Sequence, residues 1–208
     1  MDLVHEFTVP VPVDDAWRIL TDVERIAPCL PGAQLQEIEG DTYRGIVKVK
    51  VGPIQAQFKG QASFVKQDHV AHRVVLKGEG RDTTGKGNAA ALITAELTSL
   101  TASSTSVKVL TDLSITGKVA QFGRGAMADI SDKLLAQFVI NLNTLIAEQP
   151  ATSAPVPPEA APTEGVRTIE SAEVAPLNLL SAAGSPILKR AIPVVVVLAA
   201  VLVWLVVR

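Results

Sequence analysis

Polar and apolar residues alternate along most of the N-terminal part of the chain, a pattern typical of β-strands with one wet and one dry face. The alternation runs through five stretches, at 42–51, 55–66, 72–80, 87–98 and 105–117. Apolar residues occupy one set of alternate positions, and the opposite set carries mainly charged or polar residues. Strands with a single buried face indicate an antiparallel meander rather than a buried parallel sheet.

The residues before these strands predict a first strand and a short helix. The segment "LVHEFTV" alternates like a strand, and we expect its His5 to face outward. In "PVPVDDAWRILTD", Trp17 and Leu20 recur at helical spacing and are expected to face the core. Asp14 or Asp15 is expected to cap this helix. The prolines and the glycine of "IAPCLPGA" then predict a break in regular structure.

The last element of this region has helical spacing. Its apolar positions extend to Gln149 and predict a helix of roughly 25–30 residues, which is long beside the usual three or four turns. A long amphipathic helix that follows a curved sheet is expected to lay its apolar stripe in the concave side. We therefore predict an α+β helix-grip fold in the order strand, short helices, about six strands and long helix. The apolar positions of the long helix are Val119, Phe122, Met127, Ile130, Leu134, Phe138, Leu142 and Leu145.

Composition divides the chain into three parts. Residues 1–149 carry these patterns and are predicted to form one domain. Residues 150–185 are rich in Pro, Ala, Ser and Thr, so they bury too little apolar surface to fold and are predicted to be a flexible linker. Within the linker, "AEVAPLNLLSA" is interpreted either as mildly apolar linker or as a short docking helix. Residues 186–208 are predicted to be a transmembrane tail anchor.

The tail-anchor prediction depends on residues 191–207, which carry no charge. As a helix they would be roughly 26 Å long, close to the thickness of a bilayer core, although a buried core element is the alternative. Lys189 and Arg190 precede the span, so the positive-inside rule predicts a single pass through the cytoplasmic membrane with the domain in the cytoplasm. The residues expected to contact lipid include Ala191, Val195, Leu198, Leu202, Trp204 and Leu205.

Charge and composition argue against several classes of function. The formal net charge is −2, the lysines and arginines are scattered, and aromatic residues make up only 4 %, so we expect no nucleic-acid partner. Cys29 is the only cysteine, which excludes an internal disulfide and fits a reducing compartment. The three histidines are widely spread, and we expect no metal site.

The domain shows no catalytic set that would indicate an enzyme. The segment "GEGRDTTGKG" contains the glycines and lysine of a phosphate loop, but its spacing is wrong and it is predicted to be a turn between strands. Cys29 has no histidine in a motif with it and is expected to be a small buried or loop thiol. Tyr43 is the only tyrosine and is expected to be a polar group on the dry face. We therefore expect no enzymatic activity.

Both the order of elements and the local sequence resemble a known family. The order is similar to the START/Bet v 1-type fold of ligand-cavity proteins. Within that superfamily, the sequence resembles the G subunits of carbon monoxide dehydrogenase (CoxG), and the matching stretches cover nearly all of the predicted domain. They are "AWRILTDVERIAPCLPGAQ" (16–34), "YRGIVKVKVGPIQAQFKG" (43–60), "GEGRDTTGKGNA" (78–89) and "GKVAQFGRG" (117–125).

The resemblance implies a role beside another enzyme. The family is associated with molybdenum-containing CO dehydrogenases, and its implied role is to attach that enzyme to the membrane. Some members are also similar in having a proline-rich linker and an apolar C-terminal span. The expected macromolecular partner is therefore a molybdenum CO dehydrogenase or a related molybdenum hydroxylase. The resemblance does not itself identify a ligand.

The dry face of the strands suggests a cavity for an apolar ligand. It mixes large side chains with many glycines and alanines, so either the long helix packs closely as a filled core or a ligand occupies the volume. The membrane tail favours bilayer lipids or a respiratory quinone such as menaquinone or ubiquinone, which would couple CO oxidation to the respiratory chain. The predicted lining residues are Leu30, Tyr43, Val47, Val49, Phe58, Phe64, Leu76, Ala91, Ile93, Val109, Phe122, Met127, Ile130, Leu134 and Phe138.

The cavity mouth is predicted between the loop at Leu30, Pro31 and Gly32 and the turn at Phe122 and Gly123. Three interpretations of function remain open. The protein is a tethered carrier of quinone or lipid, a recruitment adaptor without a ligand, or an enzyme, since some helix-grip proteins are cyclases or hydrolases. The first two are compatible, and the absence of an acid–base set argues against the third.

Overall fold

A computed structural model describes residues 1–51, 54–85, 87–117, 120–121, 123–148, 167–169 and 177–178. Its elements show the predicted α+β order, with one strand, two short helices, six strands and a long helix. Two further short strands follow. The elements are β1 (Asp2–Val9), α1 (Val13–Thr21), α2 (Val23–Ile26), a 3-10 turn (Ala27–Cys29), β2 (Ala33–Glu39), β3 (Thr42–Val51), β4 (Ile54–Asp68), β5 (Arg73–Asp82), β6 (Asn88–Thr101), β7 (Ser104–Ile115), α3 (Gly123–Glu148), β8 (Arg167–Thr168) and β9 (Leu177–Asn178).

The strands form one sheet in the order β1-β7-β6-β5-β4-β3-β2-β8, and β9 pairs with β3. Every pair along that order is antiparallel, and β9 runs parallel to β3. The predicted meander is therefore confirmed for β2 to β7. The first strand of the chain, β1, lies beside β7 at the end of the sheet away from β2.

Helix α1 begins without a carboxylate cap, which corrects the prediction for Asp14 and Asp15. Its N-cap is Pro12, so both aspartates lie inside the first turn, where a side chain cannot take the N-cap position. Asp14 instead lies 3.1 Å from His72, and Asp15 pairs with Arg18. At α2 a cap does form, because the Asp22 carboxylate accepts a hydrogen bond from the Arg25 N–H at 3.1 Å.

The core lies where α1 and the second half of α3 meet β1, β5, β6 and β7. Trp17 is 5 % exposed there, and Val9, Val107 and Leu142 are at most 1 % exposed. Leu20 packs against this cluster, as its spacing predicted, and Val13 packs there too. This end of the domain is a conventional hydrophobic core, sealed between a helix pair and the sheet.

Helix α3 runs along β1 and is 26 residues long, within the predicted range. Phe138 packs edge-to-face on Phe7, with ring centroids 6.1 Å apart. Further along, the Asn141 amide donates to the Cys29 carbonyl oxygen at 2.9 Å and ties the helix to the 3-10 turn. The helix is thus attached to β1 at one side of the sheet and to the turn before β2 at the other.

The predicted tail anchor, its six lipid-contacting residues and most of the predicted linker lie outside the described residues. Among the residues that are described, no helix has the length and apolar character needed to cross a membrane. Within the range predicted as linker, residues 167–169 and 177–178 lie against the sheet. Leu177 and Asn178, inside "AEVAPLNLLSA", form a strand rather than a docking helix.

Candidate ligand-binding groove

The register of the strands brings the predicted lining residues of β3 to β7 onto one face of the sheet, called the inner face below. Tyr43 on β3 pairs with Ala62 on β4, which pairs with Gly78 on β5, which pairs with Ala91 on β6. Because directly opposed residues in antiparallel strands point to the same side, this row crosses four strands on one face. The period-two pattern in the sequence therefore placed these side chains correctly.

Most of the predicted lining residues are neither buried nor fully exposed. Met127 is buried at 6 % exposure, whereas Leu30 is 41 % exposed in the loop after the 3-10 turn. Phe122 lies outside the described residues. The half-buried members of the set are Tyr43, Val47, Val49, Phe58, Phe64, Leu76, Ala91, Ile93, Val109, Ile130, Leu134 and Phe138.

The centre of the inner face is open. A Cβ built on Gly78 would meet no atom within 4 Å, although the residue lies between Ala62 and Ala91 in the middle of the sheet. Phe64, Val109 and Phe138 pack against the core cluster and close one end of this space. The space between α3 and the inner face of β3, β4 and β5 is called the groove below. Ala62 and Gly78 lie in the middle of its floor, and larger apolar residues such as Phe58 and Leu76 lie on the same face.

Two of the floor glycines have a different role from Gly78. A Cβ on Gly60 would lie 2.0 Å from the Glu79 carbonyl oxygen, and one on Gly45 would lie 2.3 Å from that of Gln34. Real Cβ atoms do not approach a carbonyl so closely, so glycine is required for the strands to pass each other at these positions. The sequence pattern attributed Gly60 to cavity volume, whereas the structure attributes it to the close approach of β4 and β5.

Tyr43 places one hydroxyl group on the inner face. Its ring packs edge-to-face on Phe64, with centroids 6.0 Å apart. Partial burial raises the pKa of the phenol above its usual value of 10, and the nearby carboxylates of Asp41 and Asp22 raise it further. The hydroxyl is therefore neutral at physiological pH and can donate a hydrogen bond to a ligand.

A second polar group faces the same way and was missed. His5 was predicted to point outward, but it lies in the inward series with Leu3 and Phe7, while Val4 is 61 % exposed. His5 Nε2 lies 3.1 Å from Asp132 Oδ1 on α3, and its side chain is 14 % exposed. Strict alternation from Phe7 would have found this orientation, since residues two apart on a strand share a face.

The two halves of the predicted mouth are far apart. Leu30 follows Cys29, whose carbonyl bonds Asn141 near the end of α3. Gly123 begins the same helix, 18 residues earlier and therefore about 27 Å away along its axis. The loop and the turn do not frame one opening. At the Gly123 end there is a separate open cleft of about 720 Å³, and its lining is mixed in charge: Met1, Asp2, Leu3, Asp112, Arg124, Gly125 and Ala128.

The remaining candidates for chemistry have structural roles. Cys29 is 3 % exposed, and burial raises the pKa of its thiol despite the nearby Arg25 guanidinium. The segment "GEGRDTTGKG" contains a turn between β5 and β6, where the Thr84 N–H donates to the Asp82 carboxylate at 2.9 Å. Among the described residues, no group of three His, Cys, Asp or Glu side chains is arranged to hold a metal ion.

Comparison with solved structures shows the same fold. A conserved protein from Geobacillus kaustophilus is 18 % identical, with a TM-score of 0.65, and the match covers 71 % of this chain and 96 % of that one. The ZhuI aromatase/cyclase from Streptomyces sp. R1128 is 14 % identical, with a TM-score of 0.52, and the match covers 74 % of this chain and 99 % of that one. Truncated norcoclaurine synthase from Thalictrum flavum is 16 % identical, with a TM-score of 0.51, and the match covers 72 % of this chain and 94 % of that one. At these identities the likeness establishes the fold alone.

Sequence comparison identifies the family. Comparison with curated proteins gives no match. The family model for the G subunits of carbon monoxide dehydrogenase, CoxG, matches residues 6–147, which include every element from β1 to α3 except the first residues of β1 and the last of α3. Together with the helix-grip fold, this match shows that the chain belongs to the CoxG family of carbon monoxide dehydrogenase proteins.

Proposed function

We propose that this protein is a membrane-tethered accessory protein that binds a long apolar molecule in its groove. The observation that carries the proposal is the open space over Gly78, beneath a helix that is attached mainly at β1 and at the 3-10 turn. We expect apolar side chains such as Phe58 and Leu134, both half-buried, to line this space. An apolar trough with a few polar groups is the usual form of a site for a hydrophobic small molecule.

A respiratory quinone, menaquinone or ubiquinone, is the proposed ligand. A quinone combines a long isoprenoid chain with a ring that carries two carbonyl oxygens. The trough suits the chain, and the neutral Tyr43 hydroxyl is a donor suited to a carbonyl. The predicted tail anchor would place the domain beside the bilayer where quinones are dissolved. No covalent cofactor is needed for this role.

The protein partner is proposed from the family. CoxG proteins accompany carbon monoxide dehydrogenase, an enzyme whose electrons must reach an acceptor. A tethered domain would recruit the molybdenum enzyme to the cytoplasmic membrane and present quinone to it, which would couple CO oxidation to the respiratory chain. The cyclase and the synthase that share the fold have their own activities, and the proposed role for this chain is not catalytic.

The decisive experiment is mass spectrometry of the organic extract of full-length protein purified from its own membranes. The proposal expects a quinone at near-stoichiometric amount. A phospholipid at that amount would instead indicate a lipid-binding or transfer protein. A domain that is free of apolar ligand would leave recruitment without a ligand as the function.

A matched pair of variants links the ligand to the groove. Gly78→Leu fills the open space on the inner face, whereas Thr94→Leu adds the same side chain to the outer face of β6. We expect Gly78→Leu to lower the affinity for quinone by about tenfold or more, equivalent to about 1.4 kcal/mol, and Thr94→Leu to leave it unchanged. Equal ligand content in both variants would place the site elsewhere.

Tethering and recruitment have separate tests. Removal of 186–208 should move the protein from the membrane fraction to the soluble fraction, and a truncated protein that still sediments with membranes would contradict the tail anchor. In the full-length chain, co-purification of the dehydrogenase should persist in Gly78→Leu if recruitment does not depend on the ligand.

A further inference from the structure

Two short segments from the region predicted as linker are paired with one edge of the sheet. In β8, Thr168 lies opposite Glu37 and Arg167 lies opposite Ile38. The N–H of Ile169 donates to the Gln36 carbonyl oxygen at 2.7 Å. These are the backbone contacts of an added antiparallel strand.

A side-chain contact supports this register. The Arg167 guanidinium is paired with the Glu24 carboxylate of α2, across 143 positions of the sequence. Both side chains are largely exposed, so the ion pair adds little stability by itself. The ion pair matters because it shows that α2, as well as the sheet, contacts β8.

The second segment docks further along the same edge. In β9, Leu177 lies beside Val49 and Asn178 beside Lys50, in parallel register with β3. β8 runs antiparallel to β2, which runs antiparallel to β3, so β8 and β9 point the same way. Through its pairing with β2, β8 lies level with Arg44 of β3, whereas β9 lies level with Lys50. Arg44 and Lys50 are about 20 Å apart along the strand. The chain from Thr168 to Leu177 is long enough to cover that distance.

We propose that the C-terminal tether docks on the domain through a strand-addition site at the β2–β3 edge, occupied by 167–169 and 177–178. An edge strand presents unpaired N–H and C=O groups that invite pairing with other chains, and the tether covers them. Docking also fixes the point at which the tether leaves the domain, next to Lys50 at the end of β3.

The consequence for membrane attachment rests on the tail anchor proposed above. An undocked tether would begin after Glu148 and, fully extended, would allow roughly 140 Å before Ala191. A docked tether leaves only residues 179–190, at most about 40 Å. Docking would therefore hold the β3 end of the groove close to the bilayer surface.

Disulfide capture in the full-length chain tests the docking directly. The Ile169–Gln36 hydrogen bond makes Glu37 and Thr168 a non-hydrogen-bonded pair, for which Cα atoms lie about 4.5 Å apart, within the range of a disulfide. We expect Glu37→Cys with Thr168→Cys to oxidise at least about tenfold faster than the control, Glu37→Cys with Thr163→Cys. A freely moving tether would give similar rates for both pairs and would overturn the proposal.

A backbone variant shows whether strand pairing causes the capture. Ile169→Pro removes the N–H that bonds Gln36, whereas Ile169→Ala keeps it. In the Glu37→Cys, Thr168→Cys background, proline should slow oxidation to the control rate and alanine should leave it nearly unchanged. Rapid oxidation in the proline variant would contradict a strand-addition site.

Flotation with vesicles of phosphatidylcholine and phosphatidylglycerol separates the docking from the membrane proposal. A fluorophore is attached at Lys50→Cys, and its quenching by headgroup quenchers in these vesicles is measured. If the protein floats, and if quenching is stronger in Ile169→Ala than in Ile169→Pro, both the docking and the membrane anchor are supported. Equal quenching in the two variants would overturn the effect on membrane distance. A protein that oxidises rapidly but does not float would refute the tail anchor and leave the docking intact.

Discussion

The two ends of the sheet are packed in different ways. At the α1 end, Trp17, Val107 and Leu142 are at most 5 % exposed and form a closed core. Across the groove, Val47 and Phe58 stay half-buried, and the floor at Gly78 is open. The same alternating pattern thus lines a sealed core where α1 and the second half of α3 pack on the sheet, and an open space where α3 does not pack closely on it. Stability and binding should therefore depend on different residues of one face.

The largest expected effect compares two leucines of α3. Leu142→Ala removes a side chain with 0 % exposure from the core and should lower the free energy of unfolding by about 2–5 kcal/mol. Leu134→Ala, on the same helix and at a position predicted to line the groove, should cost less than about 1.5 kcal/mol because its side chain is half-buried. Urea unfolding measures both, and equal losses would mean that the groove is packed as tightly as the core.

The next effect compares two glycines of the inner face. Gly60→Ala forces a Cβ against the Glu79 carbonyl oxygen, so we expect a loss of about 3 kcal/mol in the free energy of unfolding. Gly78→Ala meets nothing within 4 Å and should be neutral or stabilising by about 0.5 kcal/mol, since alanine restricts the unfolded chain. Thermal unfolding of the two variants measures both effects. A loss of stability in Gly78→Ala would mean that the space over Gly78 is filled.

A smaller effect concerns the bond between α1 and the β4–β5 turn. The Trp17 indole N–H donates to His69 Nδ1 at 2.8 Å. Trp17→Phe keeps most of the packing and removes this donor. The free energy of unfolding should therefore fall by about 1 kcal/mol more than the smaller side chain alone would cause. His69→Ala and the double variant complete the cycle. A coupling free energy near zero would show that the hydrogen bond contributes nothing.

The smallest effect appears at alkaline pH. Partial burial, with Asp41 and Asp22, raises the pKa of Tyr43 in the folded protein above its unfolded value of about 10. The stabilising contribution of the neutral phenol is full below pH 10 and declines as the pH rises through the folded pKa. Tyr43→Phe should therefore flatten the stability profile above pH 10 and leave it unchanged at pH 7. An identical slope in both proteins would show that Tyr43 is solvated.

The sequence predicted the sheet well because alternation states directly which face each residue takes. It predicted that Val47, Phe58 and Leu76 would share a face, and the register agrees. The error at His5 came from giving polarity more weight than the period, although the half-buried ring has a carboxylate partner in Asp132. Partners that lie more than a hundred positions apart leave no local signal.

Other features depend on three-dimensional placement that no short pattern encodes. The cap at α1 was misplaced because Pro12, rather than an aspartate, occupies the N-cap. The mouth was assigned from two breaks in the sequence pattern, and the distance between Leu30 and Gly123 along α3 appears only in the fold. The strands β8 and β9 were missed because backbone pairing to an edge places few demands on side chains, so a Pro- and Ala-rich region can supply it.

The arrangement of the core also has a consequence for the order in which the chain folds. Val9, Val107 and Leu142 meet in one cluster although they are far apart in the sequence, so this core cannot close until α3 has been synthesised. The hairpins β3–β4 and β4–β5 join neighbouring segments and can form earlier. During synthesis, we expect the groove floor to be assembled first and to stay exposed on the ribosome until the final helix arrives.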